Sequence, residues 1–400
     1  MSKQLTISLL LVGFMVLATA GVILYGMGYR FSLNKGTPAV SGTGLLVATS
    51  VPDGAQVFIN EHLTTATDNT INLEPGEYTV KIFKDGYFPW QKQIIVKKEV
   101  VSKADALLLP NAPKLESITN TGVSNAVIDP TKTKLAYAVA SQSALKNGIY
   151  VLDMTLRPIL TLQSASTQIA TDTVTRFSQS TLKWSPDSKQ LLASFVNPST
   201  SDFLLLTTAL NSTPQDVTET LLSVNNAWQK LKDEKQVALK NSLPKKLRPI
   251  IAQYFNVVGW SDDETRVLYS ASVSGTLPIV INPPLIGVDS TPEQRNIEKD
   301  AIYVYDIKED RNYKILDNMP EVKEGLPLPL MWFPDSKHLI YVHNGKIDIM
   351  EYNGGNQTTI YAGPFVDNFV FPWPDASKIV ILTNLGNPAN NPNLYTISLK

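Results

Sequence analysis

Seven basic residues lie between positions 230 and 248 and form the densest charged group of the chain. Opposed only by Asp233 and Glu234, they give this segment a local charge of +5. A positive patch attracts anions, so it could hold an anionic cell-wall polymer, lipid head groups or an acidic protein. Lysines on an ordinary solvated helix are the simpler alternative. The candidate partner-binding residues taken from this region are Trp228, Lys245, Lys246 and Arg248.

Residues suited to catalysis are scarce. The chain has no cysteine and only three histidines, which excludes thiolate nucleophiles and disulfides and argues against histidine or cysteine metal sites. Nucleophile elbows, phosphate-binding loops and dinucleotide fingerprints do not occur in the sequence. The acidic triplet at residues 262–264 falls in a repeated turn, where we expect aspartate to accept backbone hydrogen bonds. We therefore predict no catalytic, cofactor-binding or metal-binding residue.

The length and charge of the chain limit its class. With 400 residues, 43% of them hydrophobic, it is too long for one ordinary core, so we expect two or more folded units. A net charge of −1 gives no reason to expect a nucleic-acid partner.

Beyond residue 113 one short turn motif recurs. It consists of an aromatic residue, a turn with aspartate and then a basic residue, and a strand-forming segment follows each copy. Strand, tight turn, strand, loop and strand is the blade pattern of a β-propeller. The copies are WSPDSK (184–189), WSDDETR (260–266), WFPDSK (332–337), the variant WPDASK (373–378) and the degenerate DPTK (129–132).

The motif resembles the aromatic-Ser-Pro-Asp-Gly turn of TolB-type propellers, with serine, alanine or glutamate in place of glycine. The repeats predict about five blades over residues 113–400, with residues 113–119 adding the strand that the last blade lacks. A sixth blade is the alternative. Long segments at about 219–255, which has helical spacing, at 274–300, which is rich in proline, and at 384–392 fall in loops opposite the motif turns. We expect function on that face.

A compact β domain is predicted over residues 44–110. Its turns PDGA (52–55), LEPGEY (73–78) and KDGY (84–87) resemble those of the PEGA domain, a small β-sandwich, although Asp53 replaces the glutamate of that name. The resemblance implies a structural or binding role in bacterial cell-surface proteins, without catalytic residues. The nearby aromatic residues Tyr87, Phe88 and Trp90 either stack on a sugar or pack in the sandwich.

The N-terminal region has no charged residue between Lys3 and Arg30. About 20 apolar residues cross a bilayer. We therefore predict a membrane anchor over residues 1–33, with its apolar span at about 5–27, and then a linker at 34–43. A signal peptide cleaved after Ala20 is the alternative. The flanking positive charges nearly balance, and we favour an external C-terminus.

These features predict a mainly β, non-enzymatic chain. It would be held in the cell membrane by a single transmembrane helix, with a PEGA-like domain and a propeller with a helical insertion outside the cytoplasm. Its partners would be the lipid bilayer and a protein or polysaccharide of the envelope, bound or scaffolded by the propeller. The alternative function is a propeller glycosidase or lyase acting on envelope polysaccharide, because the separation of two carboxylates is not visible in a sequence.

Overall fold

The computed structural model describes residues 3–26, 29–34, 37–155, 166–196, 201–287, 289–322, 327–366 and 368–399. These residues are mainly β, as predicted, with three α-helices. The chain divides into two compact units. Unit 1 comprises Met1–Asn111 with Ile281–Glu293, and unit 2 comprises Ala112–Val280 with Gln294–Lys400.

The N-terminal part of unit 1 begins with helix α1 (Lys3–Gly26). Strand β1 (Tyr29–Asn34) then pairs antiparallel with β2 (Thr37–Gly42). Most of the predicted linker, residues 37–42, therefore forms a paired strand, which no local sequence pattern indicated. Residues 27, 28, 35 and 36 of the predicted anchor and linker lie outside the described residues.

Among the described residues, no helix combines the length and apolar character needed to cross a membrane. The predicted span at about 5–27 stays a prediction.

The rest of unit 1 is built from two sheets that share one core. Leu46 and Ala104 of the three-stranded sheet pack with Val57, Ile82 and Trp90 of the four-stranded sheet. Trp90 is thus a core residue, as the packing alternative predicted. The three-stranded sheet, in spatial order, contains β6 (Asn69–Leu73), β3 (Gly44–Val51) and β9 (Val101–Leu107), and the four-stranded sheet contains β5 (His62–Ala66), β4 (Gln56–Ile59), β7 (Gly76–Phe83) and β8 (Trp90–Val96).

Strand β8 is an edge strand, and the segment at residues 281–293 covers part of it. The backbone N–H of Ile95 donates to Ser290 Oγ at 3.0 Å, and Lys92 Nζ lies 2.8 Å from Asp289 Oδ2. An open strand edge can pair with other chains, so this segment protects unit 1 from such pairing. The central part of the proline-rich insertion therefore belongs to unit 1.

Unit 2 contains five four-stranded antiparallel sheets in its described residues. Sheet I holds β11 (Ser124–Ile128), β12 (Lys134–Val139), β13 (Gly148–Asp153) and β14 (Ser166–Thr171); sheet II holds β15 (Thr181–Trp184), β16 (Gln190–Ser194), β17 (Phe203–Leu206) and β18 (Gln215–Asp216); sheet III holds β19 (Phe255–Trp260), β20 (Arg266–Ala271), β23 (Ile302–Asp306) and β24 (Arg311–Leu316); sheet IV holds β25 (Leu330–Trp332), β26 (His338–His343), β27 (Lys346–Glu351) and β28 (Thr358–Ala362); and sheet V holds β29 (Val370–Pro372), β30 (Lys378–Thr383), β31 (Asn393–Ser398) and β10 (Leu115–Ser117).

Four further elements lie in the insertions. Helices α2 (Leu221–Ser242) and α3 (Leu247–Tyr254) separate β18 from β19, as the helical spacing predicted. The short strands β21 (Gly275–Thr276) and β22 (Asn296–Ile297) pair with each other.

Sheet V is completed from the start of unit 2. Strand β10 pairs antiparallel with β31, with Leu115 opposite Ile397, and the ion pair of Lys378 and Glu116 adds a side-chain contact at 3.3 Å. The prediction that residues 113–119 pair with the last sheet is confirmed. This pairing leaves β31 without a free edge.

The turn between the first two strands has one geometry in all five sheets. In sheet II, the N–H of Ser188 donates to Ser185 O at 3.0 Å, and Asp187 Oδ1 accepts from the N–H of Lys189 at 3.2 Å. Asp263 likewise accepts from the N–H of Thr265 at 3.1 Å, which confirms its predicted structural role. The residue that takes a left-handed conformation in each turn, with φ between +56° and +61°, is Lys132, Ser188, Glu264, Ser336 or Ala376.

The pair of Lys92 and Asp289 predicts how acid affects unit 1. Burial favours the neutral carboxyl, but the charge and hydrogen bond of Lys92 outweigh burial and hold the pKa of Asp289 below its usual range. This stabilisation is complete above the unfolded pKa of about 3.9 and is lost as the pH falls through the folded pKa. Lys92→Met removes the cation beside this buried carboxylate, so we expect it to lower the free energy of unfolding by about 3 kcal/mol at neutral pH.

Chemical denaturation of the full chain, at neutral pH and at about pH 3, measures this effect. The control is Lys230→Met, because Lys230 and Glu234 are exposed and 4.0 Å apart and should contribute less than about 1 kcal/mol. If the two variants lost equal stability, or if the loss in Lys92→Met did not shrink in acid, the ion pair would not hold this segment.

The left-handed turn residue of sheet V predicts a stabilising substitution. A left-handed conformation costs an L-residue about 1–2 kcal/mol, whereas glycine adopts it freely but loses more chain entropy on folding. Ala376→Gly should therefore raise the free energy of unfolding by about 0.5–1 kcal/mol. The same substitution in helix α2, Ala227→Gly, should lower it by about 1 kcal/mol. A loss of stability in Ala376→Gly, measured by denaturation, would contradict the proposed strain.

Candidate functional site

The tryptophan that precedes the motif turn joins a sheet of unit 2 to the sheet before it. Trp184 of sheet II donates its indole N–H to Val127 O of sheet I at 3.0 Å. Trp332 of sheet IV donates in the same way to Gly259 O of sheet III at 3.2 Å. Both indoles are buried, so each bond satisfies a polar group that water cannot reach.

Trp260 of sheet III holds the same position in its turn but makes no such bond. Its indole N–H has no hydrogen-bond partner among the described residues. The acceptor at the matching position would be the carbonyl of Lys183 in sheet II. The side chain of Lys183 contacts α2, with its Nζ 2.8 Å from Asn225 Oδ1 and 5.9 Å from the ring centre of Trp228. The helical insertion thus occupies the place between sheets II and III.

Helices α2 and α3 cover the sheets on either side of this place. Leu221, Val224 and Trp228 of α2 pack on Leu192 and Leu204 of sheet II. Their i, i+3, i+7 spacing puts them on one helix face.

Leu247, Ile250 and Ile251 of α3 pack with Val267 and Tyr269 of sheet III. The break between the helices falls at Leu243, which is extended because the next residue, Pro244, disfavours a helical conformation before it.

A cavity of about 830 Å³ remains between the second half of α2, α3, β19 and the motif turns of sheets I to III. This volume lies in the range of small-molecule sites. Lys232, Lys235 and Lys240 line it from α2, and Glu264 is the only carboxylate in its lining, so the lining side chains carry a formal charge of +2. The other lining residues are Pro130, Pro186, Gln236, Leu239, Leu243, Ile251, Ala252, Phe255, Val257, Val258, Gly259 and Trp260.

The cavity lies at the motif-turn end of the sheets. Pro130 and Pro186 belong to the motif turns of sheets I and II, and both lie in its lining. Helix α2 starts after β18, at the opposite end, but its 22 residues reach about 33 Å and carry it past the length of a strand. The expectation that the insertions act only on the face opposite the motif turns is therefore wrong for α2.

The candidate residues from the sequence lie outside this lining. Trp228 is 6% exposed and belongs to the core beneath α2, so it is not open to a partner. Lys245 and Lys246 are exposed on the short link between the helices.

Arg248 closes the end of α2 instead. Its Nη2 donates to Asn241 O at 2.6 Å and its Nε to Leu243 O at 3.1 Å. A cation at this position interacts favourably with the negative end of the helix dipole.

The sequence contained a signal for the lysines of the cavity. Lys232, Lys235, Gln236, Leu239, Lys240 and Leu243 repeat at three- and four-residue steps, which places them on one face of a helix. The sequence did not indicate that Trp260 lacks the hydrogen bond between sheets, since its motif looks like that of Trp184 and Trp332.

Histidine side chains pair with aspartates in the described part of the chain. No cluster of three or more histidine or acidic residues suited to a metal ion occurs there. His338 Nδ1 lies 2.6 Å from Asp335 Oδ2, and His343 Nε2 lies 2.8 Å from Asp348 Oδ2. Burial opposes ionisation of Asp335, but hydrogen bonds from His338 and from the backbone lower its pKa. Both pairs stabilise their sheets locally.

Residues 43–111 match the family model described as the PEGA domain, which confirms the predicted resemblance. None of the curated proteins matches the chain. One similar solved structure is a protein assigned as TolB from Agrobacterium tumefaciens, with 14% identity, coverage of 75% of this chain and 76% of that chain, and a TM-score of 0.21. TolB from Acinetobacter baumannii has 13% identity, coverage of 80% of this chain and 60% of that chain, and a TM-score of 0.17. The Cps50 (Swd1) β-propeller domain from Myceliophteria thermophila has 9% identity, coverage of 72% of this chain and 100% of that chain, and a TM-score of 0.26.

The contrast among the three tryptophans predicts a difference in stability. Trp184→Phe and Trp332→Phe each remove an indole donor and leave a carbonyl in the neighbouring sheet without its partner, so each should lower the free energy of unfolding by about 2 kcal/mol. Trp260→Phe removes no hydrogen bond and should cost less than about 1 kcal/mol. Urea denaturation of the full chain measures all three. A loss in Trp260→Phe as large as in the other two would mean that Trp260 also joins two sheets.

Proposed function

We propose that the chain is a non-catalytic binding or scaffolding protein of the cell envelope, whose unit 2 is a five-bladed propeller with a binding site in the cavity beside α2. One observation carries the proposal: the cavity is lined by three lysines and a single carboxylate. Such a lining attracts an acidic partner. The five four-stranded sheets and the pairing of β10 with β31 support the count of five blades.

The same observation weakens the glycosidase or lyase alternative. Glycoside cleavage usually needs two carboxyl groups about 5–10 Å apart across the scissile bond. In the cavity, Glu264 has no acidic partner in the lining. A basic rim with Trp260 and Phe255 nearby suits recognition of an acidic group better than hydrolysis.

The location in the envelope draws on unit 1. The PEGA match supports it, because that domain is associated with bacterial cell-surface proteins. Large apolar side chains of α1, among them Leu10, Phe14 and Leu17, expose more than half of their surface, which is costly in water and supports a covering of lipid. We infer that residues 5–27 anchor the chain in the membrane and that units 1 and 2 lie outside the cytoplasm.

Site-specific photocrosslinking in membranes of the host tests this proposal. A photoreactive residue at Gln236, in the cavity lining, should crosslink an envelope component, whereas the same residue at Gln229, on α2 but outside the lining, should not. The full chain should also stay with the membrane in alkaline carbonate, because an apolar span is not released by high pH.

Two results would contradict the proposal. Equal crosslinking at Gln229 and Gln236 would remove the cavity as the binding site. New reducing ends released from envelope polysaccharide by the full chain, and lost in Glu264→Gln, would establish the glycosidase instead.

A further inference from the structure

We infer that the cavity beside α2 binds an anionic amphiphile, a molecule with a phosphate or carboxylate head and a hydrocarbon tail. The inference rests on the proposed function, because it names the ligand class for the same site. It follows from how the polar and apolar parts of the lining are arranged.

Most of the lining is apolar. Ten of its sixteen residues are apolar, from Pro130 and Pro186 in the turns to Val257 and Val258 in β19. Leu243, Ile251 and Phe255 also belong to the buried core of sheet III, with 5–7% of their surface exposed, so this wall is fixed by packing. A polysaccharide would bring many hydroxyl groups to a wall with few hydrogen-bonding partners, at a cost for each unmet group. A hydrocarbon tail meets no such cost.

The positive charge lies on one side of the cavity. Lys232, Lys235 and Lys240 all come from α2, while Glu264 comes from the motif turn of sheet III. An anionic head is therefore attracted towards α2 and repelled from the turn. The side chains of these lysines are exposed, so they can reach a head group at the opening while keeping contact with water.

Trp260 offers both an apolar surface and a hydrogen-bond donor to the cavity. Its ring is partly exposed and lines the cavity. Trp184 and Trp332 each use their indole N–H to bond to the preceding sheet, whereas the N–H of Trp260 makes no such bond. Tryptophan suits the boundary between a hydrocarbon tail and a polar head, because one side of the ring is apolar and the N–H can donate to an anion. The missing hydrogen bond of Trp260 thus becomes a ligand contact.

The test uses dodecyl phosphate with a photoreactive diazirine in its tail and the full chain in discs of zwitterionic lipid. After irradiation, mass spectrometry should find label on cavity peptides that contain Leu239, Leu243 or Trp260. Unlabelled dodecyl phosphate should compete, whereas dodecyltrimethylammonium and inorganic phosphate should not. Label on α1 serves as an internal reference, because any amphiphile can reach it.

Matched lysine variants test the charge. Changing Lys232, Lys235 and Lys240 together to glutamine should lower cavity labelling about tenfold, since three partly exposed contacts of about 0.5 kcal/mol each give that factor. Changing Lys230, Lys245 and Lys246, which lie outside the lining, together to glutamine should leave the cavity labelling unchanged. Trp260→Phe should lower labelling about fivefold through the lost donor. Thermal unfolding of each variant shows whether it is folded.

Three outcomes would overturn the inference. The first is that dodecyltrimethylammonium competes as strongly as dodecyl phosphate, and the second is that inorganic phosphate, which has no tail, also competes. The third is an equal loss of cavity label in the variant of the lining lysines and in the variant of the lysines outside the lining. If any of these occurred while Gln236 still crosslinked an envelope component, the binding function would stand and only the ligand class would be wrong. If crosslinking at Gln236 also failed, the proposed function itself would be wrong.

Discussion

Each sheet of unit 2 must seal its first strand against the sheet before it, and the rest of the unit depends on how this requirement is met. Between sheets I and II, and between sheets III and IV, a buried indole N–H donates to a backbone carbonyl in the first strand of the preceding sheet, as Trp184 and Trp332 show. The hydrogen bond fixes the distance between sheets, and the tight turn with its left-handed residue fixes the position of the tryptophan. Side-chain packing then fills the space between the sheets.

Between sheets II and III two helix-to-sheet contacts replace this direct contact. Helix α2 covers sheet II and α3 covers sheet III, so each sheet is sealed, but by a different helix. Sheet III remains tied to sheet IV through Arg266, whose Nη1 donates to Ser336 O at 3.0 Å and whose guanidinium stacks 4.1 Å from the ring centre of Tyr352. The cavity is the space that the two helices leave unfilled, which explains why it is lined by Trp260, whose indole makes no bond to sheet II.

The local features of this fold were predictable from the sequence, and the long-range ones were not. Turn chemistry identified the motif turns and the PEGA resemblance, because each depends on a few adjacent residues. The pairing of β10 with β31 was predictable because counting strands left one missing. By contrast, no local pattern showed that residues 281–293 cover β8, or that β2 pairs with β1. The surroundings of two partner-binding candidates were equally hidden in the sequence, because Trp228 packs on sheet II and Arg248 bonds to the end of α2.

The ionisation of the carboxylates bears on whether the scaffold suits catalysis. A general acid that works near neutral pH needs a carboxyl with a raised pKa, usually through burial or a nearby negative charge. Asp187 and Asp263 in the motif turns and Asp348 beside His343 each have a pKa below its ordinary value. The causes are hydrogen bonds from turn hydroxyls, backbone N–H groups or histidine, which stabilise the ionised form. These hydrogen-bonded carboxylates stabilise the turns, and their protonation would weaken the hydrogen bonds that they accept. These acidic groups thus stabilise the turns of the scaffold.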